Sequence, residues 1–132
     1  MTSAPRAAAR LAITLAGALL AGGPALAAPP ILVSVTGGGA LAGPTGKTLY
    51  TYDKDEPGSG KSACSGACAS SWPPLFAAGS DTASSDYSIV TRDDGKRQWA
   101  YRGKPLYYFS RDEKPGDMTG DGLLGVWHVA KP

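Results

Sequence analysis

The chain has 132 residues, enough for one domain, with 13 Lys and Arg against 11 Asp and Glu, two Cys and a single His. No basic stripe runs through it, which argues against nucleic acid as a partner. After residue 28 no stretch is long and apolar enough to cross a bilayer, so no membrane span is expected in that part of the chain.

Residues 1–27 read as an export signal. Arg6 and Arg10 give a positive start, Leu11–Leu20 is apolar, and Ala25-Leu26-Ala27 matches the small-x-small pattern of signal cleavage, leaving Ala28 first. No Arg-Arg pair marks the twin-arginine route, and no Cys near the cut offers a lipid anchor. Without Arg6 and Arg10 the acidic and basic residues balance at 11 each. The expectation is a soluble periplasmic or secreted monomer spanning 28–132.

That region is written twice. Residues 46–56, "GKTLYTYDKDE", return 57 positions on as "GKPLYYFSRDE" at 103–113. Val33, Gly38, Gly46, Lys47, Leu49, Tyr50, Asp55 and Glu56 are identical in the two copies when aligned without a gap. Two copies of one supersecondary unit are expected, about 32–76 and 89–130. In the first, "ILVSV", a Gly37–Gly39 turn, a short "ALA", a "GPTG" turn and "TLYTY" read as a three-stranded meander with a weak middle strand. Tyr50 and Tyr52 share one face of the last strand, and Leu49 and Thr51 the other. Asp55 then precedes Pro57-Gly58, a pairing that favours a type II turn, and an Asp there can accept backbone N–H groups.

"CSGACASSW" follows, small residues suited to one or two helical turns that Pro73 and Pro74 must end. Cys64 and Cys68 are expected to form a disulfide in an oxidising compartment. So small a loop contributes only about 2 kcal/mol. Residues 77–86 are polar and turn-rich, a linker. The second copy is clearer: "YSIVT", a turn with Gly95 at positive φ, "RQWAY", a turn at Gly103, and "PLYYF". Tyr107, Phe109, Asp112 and Pro115-Gly116 repeat the first copy's signals, and each unit closes on a Trp, Trp72 or Trp127. The fold class is therefore mainly β: two tandem meander units in one small domain, with a short helical turn near the cysteines.

Tyr50-x-Tyr52-x-x-Asp55 and Tyr107-x-Phe109-x-x-Asp112 both fit a Yx(FWY)xxD pattern. With "CSGACASSWPPL", "RDDGKRQWAYRGKPLYYF" and "PGDMTGDGLLGVWHV", the chain resembles a bacterial family of small secreted repeat proteins, predicted lipoproteins named for that motif. The resemblance implies export and a fold, and no reaction. Members commonly carry a lipid-attachment Cys after the signal, which this chain lacks.

Candidate chemistry is sparse. His128 has no nucleophile elbow to serve and reads as a solvent-facing histidine of a last strand. Cys64, Cys68 and His128, with Met118, are the residues that a copper or zinc site would use, and the loop Asp112, Glu113, Asp117, Asp121 lacks EF-hand spacing. The aromatic residues are expected in the core, with Tyr50, Tyr52, Asp55, Tyr107, Phe109 and Asp112 as structural motif and Trp72 and Trp127 as anchors. The reading is an exported envelope protein, not an enzyme, without cofactor, acting as a structural or interaction module toward an unidentified envelope partner. The alternative is a periplasmic copper- or zinc-binding or thiol-redox protein.

Overall fold

A computed structural model of the chain describes Ser3 and residues 33–132. Apart from Ser3, the expected export signal, its cleavage site and the start of the repeat at residue 32 lie outside the described residues. The described chain is mainly β, in short strands. β1 (Ser34–Val35) pairs with β2 (Leu41–Ala42), β3 (Tyr50–Tyr52) pairs with β7 (Trp127–Val129), and β4 (Tyr87–Thr91), β5 (Arg97–Tyr101) and β6 (Lys104–Pro105) form an antiparallel meander. The one α-helix, α1 (Ala67–Ser71), carries Cys68 and stops at Trp72, before the two prolines.

The turns follow from their glycines. Arg92 N–H donates to Lys96 O (2.8 Å) and Gly95, at φ 82°, donates to Arg92 O, closing the β4–β5 hairpin. The first copy builds the same turn from Thr36 to Ala40, with Gly39 at φ 80°. Gly39, not Gly38, is thus the counterpart of Gly95, and the ungapped match slips by one residue ahead of β2. Glu56–Ser59 and Lys114–Asp117 are the expected Pro-Gly turns, with Gly58 at φ 76° and Gly116 at φ 88°.

The first unit departs from a self-contained meander. The residues leading into β3 meet β2 through the Ala42–Thr48 bridge and the Leu49 N–H, while β3 itself takes its strand partner from the far end of the chain. The exchange runs both ways. Leu41, Leu49 and Ala130 form a closed ring of backbone hydrogen bonds, each N–H donating to the next carbonyl at 2.8 Å. Trp99, Leu75 and Leu106 form the matching ring, each bond 2.9 Å. Each ring takes two members from one repeat and the third from the other. Between the rings, Tyr50 and Tyr107, equivalent residues of the two copies, exchange N–H···O bonds of 2.7 and 3.0 Å, which marks a local twofold axis.

The alternation read from the sequence sorts the core into two faces. Leu49 and Leu106 join Leu41, Leu75, Trp99 and Ala130, the six ring residues, in one buried cluster. Tyr50, Tyr107 and Phe109 join Trp72, Trp127 and Cys64 in the other, with Tyr52 packed against it.

The repeated hairpin glycines meet the repeated Pro-Gly turns of the opposite unit. A Cβ on Gly103 would lie 2.8 Å from Gly58 N, and one on Gly46 3.2 Å from Pro115 Cβ. Gly95 has the same φ of 82° but no atom within 4 Å of an added Cβ. Gly95→Ala is therefore expected to cost about 1–2 kcal/mol, the left-handed penalty alone. Gly103→Ala should cost at least about 1 kcal/mol more, because neither backbone can give way. Parallel denaturant melts check this, and equal costs would refute the clash.

Candidate functional site

Tyr50 and Tyr107 are fully buried, and each hydroxyl donates to the Asp of the opposite repeat. Tyr50 Oη reaches Asp112 Oδ2 and Tyr107 Oη reaches Asp55 Oδ2, both at 2.6 Å. The aspartates also collect backbone donors from the loops that follow them: Ala63 N–H to Asp55 (2.6 Å) and Thr119 N–H to Asp112 (3.0 Å). That backbone role was legible from the turn chemistry; the crossing to the other copy was not. Burial pushes both tyrosine hydroxyls well above their usual range, and the facing carboxylates add to it. Burial likewise raises Asp55, against the pull of the Tyr107 and Ala63 hydrogen bonds and the Arg92 charge.

The second pocket is the more polar. Arg92, 6% exposed, donates to Ser62 Oγ (2.9 Å), Gln98 Oε1 (2.8 Å) and the Cys64 carbonyl. Tyr107 gives its only proton to Asp55, so Ser62 donates to Tyr107 Oη at 2.6 Å. Donors thus run in one direction from guanidinium to serine to tyrosine to carboxylate. In the first copy Thr36 stands at the hairpin position of Arg92, and no such chain forms around Tyr50 among the described residues. Arg92, Ser62 and Gln98 went unremarked in the sequence. One signal was there: Ser62 and Thr119 are equivalent hydroxyl positions 57 apart.

The two anchors meet on the same axis. Trp72 and Trp127 stack at 3.8 Å and 4°. Trp127 continues onto Tyr52 (4.2 Å) and Trp72 onto Phe109 (4.3 Å), so four rings lie in one column. Tyr50 and Tyr107 meet its tryptophans edge-on at 5.3 and 5.2 Å. Each Trp stacks on the aromatic motif residue of the other repeat.

The residues offered for metal do not gather. Cys64 and Cys68 are bonded to each other, which removes both thiolates. His128 is exposed on β7, opposite Thr51, and its Nε2 lies 2.8 Å from Asp53 Oδ2. In the acidic loop Asp112 is buried against Tyr50, Asp117 accepts the N–H groups of Glu113 and Lys114, and Asp121 accepts that of Val129. Two of the surface clefts bear on these residues. One, of about 340 Å³, is lined by Thr51, Asp53, Arg102, Lys104, His128 and Lys131. The other, of about 510 Å³, ends the aromatic column at Trp72 and Phe109 beneath Leu124, which is 83% exposed and held at φ 54°.

A family model described as a secreted repeat of unknown function matches residues 32–76 and again 88–131. The chain belongs to this family. No solved structure and no curated protein matches it. The two matched segments are the halves that exchange tails here, so in this secreted repeat each matched unit is completed by its neighbour. Among the described residues no helix is long and apolar enough to cross a membrane.

The crossed pairing in this secreted repeat has a direct test. In double-mutant cycles of Tyr50→Phe, coupling to Asp112→Ala is expected at about 1.5–3 kcal/mol, the range for a hydrogen bond to a charged group. Coupling to Asp55→Ala, five residues away in sequence, should stay below about 0.5 kcal/mol. The reverse order would move the hydrogen bond back within one repeat.

Proposed function

We propose that the chain is an exported protein of the cell envelope, cleaved after Ala27, whose residues 28–132 serve as a soluble structural or interaction module and not as an enzyme. The supporting observation is the mutual saturation of the motif. Tyr50, Asp112, Tyr107 and Asp55 are buried and spend their polar atoms on one another and on adjacent backbone, leaving none directed at a substrate. The repeated pattern then serves folding, and recognition falls to the surface, toward an envelope partner. The disulfide fits an oxidising compartment. The location proposed for a chain with this leader is the periplasm or the exterior.

The test is expression of the whole chain with its own leader, followed by fractionation and intact-mass measurement. A species beginning at Ala28, released with the periplasmic or extracellular fraction and free of membranes without detergent, is expected. Retention of Met1, or extraction only by detergent, would overturn the export and processing reading. Turnover abolished by Tyr107→Phe in a variant that remains folded would overturn the assignment of the motif to folding.

A further inference from the structure

The two repeats never complete themselves. Repeat one lends Trp72 and Leu75 to the second half, and repeat two lends Trp127 and Ala130 to the first. Every one of these contacts joins one half to the other, and only the segment 77–86 ties the halves covalently. That segment is folded back on β5. Arg97 holds the carbonyls of Ala78, Gly79 and Asp81 at 2.8, 2.9 and 2.7 Å, and Asp81 Oδ2 accepts the Ala78 N–H.

We propose that a second copy of this chain is a partner for it, by exchange of halves: residues 33–76 of each copy close on residues 87–132 of the other, giving a twofold dimer with the contacts of the monomer. This deepens the reading of an interaction module by naming an occupant for its interface. The interface in the dimer is already optimised, because it is the one that folds the single chain, so the balance is set by the linker. In the monomer a short tether supplies the second half at an effective concentration on the order of millimolar, so dilute protein stays monomeric. Exchange competes when chains fold together at that concentration, or when the tether becomes too short.

The length at which it becomes too short follows from the geometry. Ala77 bonds to Arg97 at one end of β5, and Tyr87 lies opposite Tyr101 at the other end, on the opposite edge of that strand. Four residues along the strand and two strand spacings across it make a straight path of roughly 16 Å. Deleting Gly79–Ser84 leaves four residue steps between Ala77 and Tyr87, at most about 14 Å. Such a chain cannot close on itself and must close on a second copy.

The experiment refolds the whole wild-type chain and the Δ79–84 chain from denaturant, at about 10 µM and about 1 mM, with mass read by light scattering and native mass spectrometry. Wild type is expected to be monomeric at the lower concentration and substantially dimeric at the higher. Δ79–84 is expected to have twice the monomer mass at both, with the exciton circular dichroism of stacked tryptophans retained. Dimers of mixed mass should form when isotope-labelled and unlabelled chains are unfolded together, and not when folded samples are mixed. A monomeric folded Δ79–84 overturns the proposal, as does wild type that refolds only as monomer at 1 mM. Rapid mixing of folded dimers also overturns it, since that marks an ordinary surface contact. Should the shortened chain fail to fold, the wild-type refolding decides alone. None of these outcomes depends on export or processing.

Discussion

Trp72→Ala is expected to remove about 3–5 kcal/mol of stability, the range for deleting a buried large aromatic. A small domain has only about 5–15 kcal/mol in total. The loss is at the upper end because Trp72 touches so many partners that have no substitute. It lies between Trp127 at 3.8 Å and Phe109 at 4.3 Å, with Tyr50 edge-on at 5.3 Å. Removing it breaks two stacked contacts of a four-ring column and undermines the tyrosine that holds Asp112. Trp72→Phe keeps the column and should recover more than half of the loss. Urea unfolding followed by circular dichroism gives both numbers. A loss under about 1 kcal/mol for the alanine variant would mean that the column packs loosely and does not hold the halves together.

Alkaline pH is expected to unfold the protein in a cooperative step linked to its buried tyrosines. Burial first, then the hydrogen-bonded carboxylates Asp112 and Asp55, hold the hydroxyls of Tyr50 and Tyr107 in the neutral form well past the ordinary value of 10.0. A group whose affinity for its proton is higher in the folded state stabilises that state while protonated in both. The contribution is therefore complete below about pH 10 and is lost as the pH rises toward the folded-state values. Asp55 has the same sign at the acid end: raised by burial, it favours folding most below its ordinary carboxylate value of 3.8 and loses that contribution as the pH climbs through its raised one. Tyrosine absorbance against pH, alongside circular dichroism, checks the alkaline limb. Tyr50 and Tyr107 should ionise only with loss of structure. Tyr107→Phe should make the loss of stability with rising pH shallower, since one fewer hidden proton is drawn off, even as it weakens the fold at neutral pH. Full ionisation of the tyrosines in a folded protein would sink the prediction.

The sequence was informative wherever the cause is local. Positive-φ turns call for Gly95 and Gly103, Pro57-Gly58 and Pro115-Gly116 set type II turns, and alternation puts Tyr50 and Leu49 on opposite faces. Each of these is found in place. Asp55 and Asp112 were also legible as acceptors for nearby N–H groups. Hidden was the copy to which each tyrosine turns. Two equivalent strands offer the same face and the same donors, so bonding within a repeat and bonding across to the other satisfy one sequence pattern equally. Only the closure of the chain distinguishes them. Arg92 was obscured for a different reason. It begins a hairpin turn, where charge normally faces water, and its burial rests on Ser62, Gln98 and the Cys64 carbonyl, which lie far from it in sequence or on the neighbouring strand.

The pairing of Tyr50–Tyr52 with Trp127–Val129 bears on how such a chain crosses a membrane. Translocation through a narrow channel proceeds from the amino end and requires an unfolded thread. A protein whose first half could close early would jam or would have to be held open by a chaperone. Here β1 and β2 can pair within the first half, but β3 has no partner strand until residues 127–129 are present, and Tyr50 has no carboxylate until Asp112 is present. Long-range closure of this kind slows folding. For a chain exported unfolded, as the proposed function has it, that slowness would favour passage, because β3 and Tyr50 stay without their partners until the second half is present.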